Sequence, residues 1–398
     1  MSSLTKGIFI VGAKRTPFGA FGGHLSKHTP TQLQVLASKH ALNAANVKPE
    51  SVDSVVIGCV LSDAATDTPY LSRHVGLGCG LPIHTPALAV NRLCGSGFQA
   101  VVNGAMDILT GDSKIVLTGG VDVMSQAPYV LRSARFGTRL GTDLTLEDTL
   151  WASLTDAYCK TPMGMTAENL AEKYSVTRQD ADEFALRSQT NWGIGHKNGH
   201  FAAEICPVPI KSKKGPTEMT SDQHPKPDAT LEGLAKLPPV FKKGGTVTAG
   251  TASGICDGGS AVILASEEAC TQHQLTPLAR LVSYAVCGVE PTIMGIGPVP
   301  AIRKILDKTG LKLSDVGMVE INEAFAAQTI ACQRELDLDP SVLNVNGGAI
   351  ALGHPLAASG SRITAHIVHE MRRRGLKYGI GSACIGGGQG IAVLLEAV

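Results

Sequence analysis

Two heptapeptides decide how this chain is read. Asn91-Arg92-Leu93-Cys94-Gly95-Ser96-Gly97 and His354-Pro355-Leu356-Ala357-Ala358-Ser359-Gly360 lie about 263 residues apart. Set side by side, their Leu and Gly coincide. Two other stretches align at nearly the same offset. Asp53-Ser54-Val55-Val56-Ile57 matches Asp315-Val316-Gly317-Met318-Val319. Lys114-Ile115-Val116-Leu117-Thr118 matches Lys377-Tyr378-Gly379-Ile380-Gly381. Each match alone is slight. Together, at one offset, they predict a duplicated fold.

The segments around these anchors alternate between strand and helix patterns. Val55–Gly58 and Ile115–Thr118 read as buried strands. Between them Phe98, Val101, Val102, Ala105 and Met106 follow helical spacing, and Gly111 is placed to cap that helix. After Gly360, Ile363, Ile367 and Met371 share one helix face. Arg372-Arg373-Arg374-Gly375 then ends it with positive charge where the helix dipole favours it. Such alternation predicts an α/β fold of two layered halves. The region from 121 to 249 departs from this plan. It contains a helix-like stretch near 166–198 and a Lys/Pro/Gly-rich stretch with Lys211, Lys213, Lys214, Lys226, Lys242 and Lys243. It reads as an inserted loop domain. Ala261-Val262-Ile263-Leu264 then returns as a strand of the first half. The expected boundaries are 1–120 with 250–275 for the first half, 121–249 for the insertion and 276–398 for the second half.

A chain of 398 residues, 43% hydrophobic and 17% charged, is long enough for two or three domains. Lys+Arg 35 against Asp+Glu 34 gives a formal charge of +1, which calls for neither nucleic acid nor a membrane surface. No apolar run approaches the length of a membrane span. Ten cysteines are scattered with no C-x-x-C pair, which argues against a thiolate zinc site and for reduced thiols in a cytosolic or matrix compartment. The N-terminus is basic, with Lys6, Lys14, Arg15, Lys27, Lys39 and Lys48 before the first acidic residue, Glu50. That pattern is compatible with mitochondrial import.

Three groups carry reactive chemistry. Cys94 stands at a predicted helix start, where backbone N–H groups and the dipole would lower its thiol pKa. Gly95 and Gly97 leave access open. The alternative is a buried core cysteine. His354, between Gly353 and Pro355, falls opposite Asn91 in the repeat, so both helix starts would converge; otherwise it is a turn histidine. Cys384 precedes Gly386-Gly387-Gly388, whose N–H groups are free to face an oxyanion, or which simply turn a hairpin. Asn322, after an apolar strand, could hold a water or a carbonyl. A thiol, an imidazole and a second thiol fit covalent thioester chemistry. Neither a phosphate-loop motif nor H-E-x-x-H is present.

Taken in order, these pieces resemble the thiolase family. The other matching pieces are Lys14-Arg15-Thr16-Pro17-Phe18-Gly19, Met165-Thr166-Ala167-Glu168-Asn169, Thr248-Ala249-Gly250-Thr251-Ala252-Ser253-Gly254, Asn322-Glu323-Ala324-Phe325 and the run from Asn344 to Pro355. The resemblance implies two five-stranded α/β halves and a loop domain, in homodimers or homotetramers. It implies that Cys94 attacks a 3-ketoacyl-CoA, that His354 acts as base and that Cys384 protonates the acetyl-CoA enolate. Asn322 would hold a water, and the N–H groups of Cys94 and Gly386 would hold the tetrahedral oxyanion. Coenzyme A would be a co-substrate, with no permanently bound cofactor and no metal. Lys226, Ala229, Ser253 and Met163 fall where the family contacts CoA.

Three positions depart from the family. Lys226 is commonly Arg, Pro162 is a His in many short-chain relatives, and Asp122 is commonly Glu. The expected activity is acetyl-CoA C-acyltransferase in fatty-acid β-oxidation, in the mitochondrial matrix or, alternatively, the cytoplasm. The enzyme alternatives are an acetyl-CoA C-acetyltransferase and a decarboxylating condensing enzyme. The alternative of another class is a non-catalytic CoA-ester binding protein.

Overall fold

The computed structural model describes residues 7–212 and 215–398. Lys6, Lys213 and Lys214 of the sequence reading lie outside them. The main sheet is built from β1 (Ile8–Arg15), β2 (Ser54–Gly58), β3 (Ala87–Val90), β4 (Ile115–Val123) and β5 (Cys256–Ser266). It continues with β6 (Ala279–Gly288), β7 (Met318–Ile321), β8 (Tyr378–Ile385) and β9 (Gln389–Ala397). Gly19–Ala20 adds a short pairing against β5.

The duplication is visible in the strand order. The first half runs β3-β2-β4-β5-β1 and the second β7-β8-β9-β6. In each half the outer pairs are parallel and the inner pairs antiparallel. β1 and β6 meet antiparallel at Phe9–Arg280 and Ile10–Ala279, joining the halves into one sheet. One expectation needs correction. The second half has four strands, not five. The place of β3 is taken by a single parallel bridge between Val319 and Leu343, because that chain segment turns at once into the Asn344 loop. β4 also runs on to Val123, past the expected strand Ile115–Thr118.

The helices around the sheet and its loops include α1 (Pro30–Ala44), α2 (Ser96–Thr110), α3 (Met163–Lys173), α4 (Arg178–Lys197), α5 (Pro298–Thr309), α6 (Ala326–Leu336) and α7 (Ala358–Arg374). α2 and α7 lie between the halves. One core joins Phe98 and Val101 of α2 to Ile363 and Ile367 of α7. The same core holds Val56 and Val116 of one half and Ile391 and Val393 of the other. The outer faces carry separate cores, one under α1 and one under α5 and α6.

The predicted caps Gly111 and Gly375 are both left-handed, as helix C-termini favour. Met106 leaves the predicted stripe. It is 47% exposed, since Ile108 continues the buried face from Ala105, and Met106 lies beyond its edge.

The helix-like stretch near 166–198 is two helices. It breaks at Tyr174–Thr177, where Thr177 starts α4 with a reciprocal cap to Asp180. Leu170, Ala181 and Phe184 of these helices share a core with Ile330 and Ile350 of the second half. No helix among the described residues is long and apolar enough to cross a membrane.

Candidate active site

The starts of α2 and α7 touch, as the repeat predicts. A Cβ on Gly97 would lie 2.4 Å from the Ala357 carbonyl, and one on Gly360 would lie 2.2 Å from the Phe98 amide. Glycine at both equivalent positions lets the two backbones meet. That contact brings the Cys94 loop and the His354 loop together.

Cys94 follows a strained residue. Leu93 has φ of 46°, a left-handed conformation that a branched side chain rarely adopts. The Leu93 N–H donates to Asn91 Oδ1 at 2.9 Å. Ser96 Oγ accepts from the Arg92 N–H at 2.9 Å and donates to the Leu93 carbonyl at 2.7 Å. Cys94 keeps part of its surface open but packs against Leu61, Met124, Leu150 and Leu356. The Gly386 N–H lies near its thiol and favours the thiolate. Burial nevertheless pushes the thiol up to about 11. This corrects the expectation of a lowered pKa. The helix begins at Ser96 with Gly95 as cap, so the thiol sits just outside it, and desolvation outweighs the dipole.

Cys384 lies in β8 and is 1% exposed. Burial, then the nearby Cys94 and Cys332 thiols, hold it well above the usual thiol range. The glycines after it make the β8–β9 hairpin, with Gly387 and Gly388 at φ of 78° and 83°. The hairpin and the N–H donor are therefore one feature. Gly386 is positioned by a turn that only glycines form comfortably.

His354 is 6% exposed. Its N–H donates to the Gly254 carbonyl at 2.9 Å, and Nδ1 lies 2.6 Å from Ser359 Oγ. Asn322 Nδ2 approaches the ring at 3.4 Å from Nε2. Burial first, and then the Arg362 charge, pull the imidazole down to about 3, so it is neutral at physiological pH. Asn322 Oδ1 is buried and has no partner among the described residues. The Asn322 N–H donates to Ser382 at 2.9 Å, which fixes the end of β7 against β8. Asn344 doubles this hold, bonding both backbone groups of Ile321 at 2.9 Å.

A cleft of about 180 Å³ opens on His354. Met163 and Ser253 line it, with Met124, Trp151, Phe241 and Leu356. Leu356 and Met124 also belong to the apolar cluster that Cys94 packs against, so the cleft adjoins the surroundings of the thiol. Lys226 and Ala229 do not line this cleft. Lys226 is exposed, and its N–H donates to Gln189 Oε1 at 2.8 Å.

Three residues that sequence reasoning passed over, or left unexplained, hold the site. Asp122 lies within β4. Its carboxylate accepts from the N–H groups of Leu61 at 2.9 Å, Val60 at 3.1 Å and Ala357 at 2.7 Å. It thereby ties the loop after β2 to the start of α7. Burial raises its pKa to about 6. Ser359 orients the imidazole; the clue was its place opposite Ser96 in the repeat. Arg362 pairs with Glu320, and no local motif announces that pair.

Models of the thiolase N-terminal and C-terminal domains match residues 8–268 and 275–397. The chain belongs to the thiolase family. It is 59% identical over 394 residues to a Bos taurus protein named mitochondrial 3-ketoacyl-CoA thiolase, covering 99% of each chain. The crystal structure of human mitochondrial 3-ketoacyl-CoA thiolase superposes with a TM-score of 0.98 at 58% identity, covering 99% of this chain and 100% of that one. An acetyl-CoA acetyltransferase of Syntrophomonas wolfei is 44% identical over 99% of this chain and all of its own. The thiolase fold expected from the motifs is thus the fold observed. Coenzyme A is the thiolase co-substrate, and the human protein has also been crystallised with CoA (TM-score 0.97).

Proposed function

We propose that this thiolase is an acetyl-CoA C-acyltransferase that cleaves 3-ketoacyl-CoA with CoA, as a step of fatty-acid β-oxidation in the mitochondrial matrix. The observation that carries this reading is 59% identity along the whole chain to a mitochondrial 3-ketoacyl-CoA thiolase, against 44% to an acetyl-CoA acetyltransferase. The site geometry supports it. Neutral His354 takes the proton of Cys94, and the thiolate attacks the 3-keto carbon. The N–H groups of Gly386 and Cys94 stabilise the tetrahedral oxyanion. The C2–C3 bond breaks, leaving an acyl group on Cys94 and an acetyl-CoA enolate. Asn322 Oδ1 holds the water that faces the enolate oxygen, and the Cys384 thiol protonates its carbon. The proton on His354 passes to the Cys384 thiolate, and His354, neutral again, deprotonates the CoA thiol, which displaces the acyl group from Cys94.

The region 121–249 acts as the loop domain along which CoA lies, with Met163 and Ser253 beside its pantetheine arm. Lys226 and Ala229 meet its nucleotide end. Residues 1–120 with 250–275, and 276–398, are the two thiolase halves. The assembly is a homodimer or homotetramer. Purified protein, offered 3-ketoacyl-CoAs of increasing chain length with free CoA, tests the activity. Turnover of chains well beyond four carbons supports the acyltransferase. Turnover of acetoacetyl-CoA alone replaces it with the acetyltransferase. Absence of an acetyl-CoA burst with every chain removes catalysis altogether.

A further inference from the structure

The imidazole and the amide of this site belong to different elements, and their separation must be set by something. Asn322 follows β7 and His354 precedes α7. Glu320 lies two residues before Asn322, so both side chains leave the strand line on one face. Arg362 lies three residues after Ser359, on one face of α7. Arg362 Nη1 donates to Glu320 Oε1, and both residues are 1% exposed. Ser359 Oγ lies 2.6 Å from His354 Nδ1, and Asn322 Nδ2 lies 3.4 Å from His354 Nε2. These five residues close a ring: strand, amide, imidazole, hydroxyl, helix, ion pair, and strand again.

A buried ion pair is a weak source of stability, because desolvation consumes most of the attraction. Arg362 is an expensive member of its kind. Its Nε and Nη2 atoms are buried without partners among the described residues. Apolar side chains would hold β7 to α7 at least as firmly, but would allow sliding. A charge-assisted bond from guanidinium to carboxylate, made here through Nη1, fixes the distance between the two elements.

We propose that the Glu320–Arg362 pair is a positioning device for the reaction, locking the strand end that carries Asn322 to the helix start that carries Ser359 and His354. This rests on the acyltransferase reading above. The arginine has a second effect on the same ring: its charge helps to hold His354 neutral and therefore ready as a base. The other ionisable groups around the ring are few. The Cys256 thiol on β5 lies near the His354 backbone, and His366 on α7 faces Glu320 and pairs with Glu204. Across the site are the thiols of Cys94 and Cys384.

The test replaces the pair by apolar side chains, Glu320→Leu with Arg362→Met, and compares it with Arg362→Lys and Ser359→Ala. Thermal melting, kcat, KM for CoA and the pH profile of thiolysis are measured on each. The double variant should melt no lower than wild type, yet its kcat should fall roughly 10- to 100-fold, with KM for CoA little changed. Its acid limb should move to higher pH, since the cation beside His354 is gone. Arg362→Lys keeps the charge and should keep the limb where it is. Ser359→Ala, which uncovers no charge, should lose kcat on a similar scale and keeps the test open if the double variant does not fold. A folded double variant with wild-type kcat and acid limb overturns the proposal, as does full activity in Ser359→Ala. If the wild type cleaves no 3-ketoacyl-CoA, the functional reading has failed instead.

Discussion

Gly97→Ala should disable this enzyme through a single methyl group. The added Cβ would stand 2.4 Å from the Ala357 oxygen and 2.5 Å from the Ser361 nitrogen. Both are backbone atoms of the α7 start, so no rotamer change relieves the clash. Ordinary contact needs about 1 Å more, and the two helices must part by about that much. Overpacking of this kind costs about 1–3 kcal/mol, against about 1 kcal/mol regained from replacing a helical glycine. Stability should therefore fall by no more than about 2 kcal/mol. The kinetic loss should be larger. Gly97 is three residues from Cys94, and Ala357 is three residues from His354. A 1 Å error between nucleophile and base is worth about 10²-fold in rate, or about 2.7 kcal/mol of barrier. Gly360→Ala makes the mirror clash, 2.2 Å from the Phe98 nitrogen, and should behave alike. Gly76→Ala is the control. It lies in the helix Leu71–Gly78, its Cβ would meet a Val55 methyl at 3.3 Å, and it is remote from the site. It should change stability by less than about 1 kcal/mol and leave kcat alone. The assays are thiolysis kinetics and thermal melting. A folded Gly97→Ala protein with kcat within about twofold of wild type would falsify the link between helix contact and catalysis.

Four other outcomes are expected. Cys94→Ser should abolish turnover, and mass spectrometry after brief exposure of wild type to acetyl-CoA should place acetyl on Cys94; an adduct on another cysteine alone removes the assignment. With its thiol near 11, Cys94 in the free protein should be alkylated by iodoacetamide about tenfold faster per pH unit up to pH 9 and beyond, and a plateau near pH 8 would show that the thiolate is better stabilised than burial suggests. Cys384→Ala should still be acetylated at Cys94 but should lose most exchange of acetyl-CoA α-protons with deuterated solvent; wild-type exchange in the variant assigns the proton to another group. Lys226→Ala should raise KM for CoA by roughly fivefold or less with kcat unchanged, and should blunt the salt dependence of that KM; identical KM and salt response in both proteins leave Lys226 as a solvated surface lysine.

The repeat was legible because its strands are buried on both faces. Such strands read as unbroken apolar runs, and they keep their spacing from the helices they feed. The missing fifth strand of the second half was not legible, since one bridge at Leu343 leaves no pattern to read. Cys94, His354, Asn322 and Cys384 were nameable because each carries a local signal: glycines after a thiol, a histidine before proline, a polar residue after a strand. Their environments were not. The rise in the Cys94 pKa comes from burial, and the apolar cluster it packs against gathers Leu61, Met124, Leu150 and Leu356 from distant parts of the chain. Asp122 acts through backbone donors of three residues that any side chain could occupy. Glu320 and Arg362 look like two ordinary charges until the fold buries them together.

At rest the reacting groups of this site are uncharged. Burial raises both thiols and lowers the imidazole, so each shift favours a neutral form. For His354 the sign for stability follows from its depressed pKa. The unfolded imidazole binds a proton below about 6.5, while the folded one resists until about 3. Its neutral burial is therefore compatible with full stability above pH 6.5 and becomes a growing load as the pH falls toward 3. The proposed chemistry must separate charge within this dry site, making a thiolate and an imidazolium from two neutral groups. Desolvation makes that step costly unless donors are already in place, and donors fixed in advance gain strength from the same dry surroundings. The Gly386 N–H is fixed by a glycine hairpin, the Asn322 amide by β8 and Asn344, and His354 by Ser359. Of the charged side chains close by, Arg362 and Glu320 are bound to one another, and the Asp122 carboxylate is held by three backbone N–H groups. A neutral resting site within a locked polar frame releases its chemistry only when a substrate supplies the developing oxyanion that the frame is built to meet.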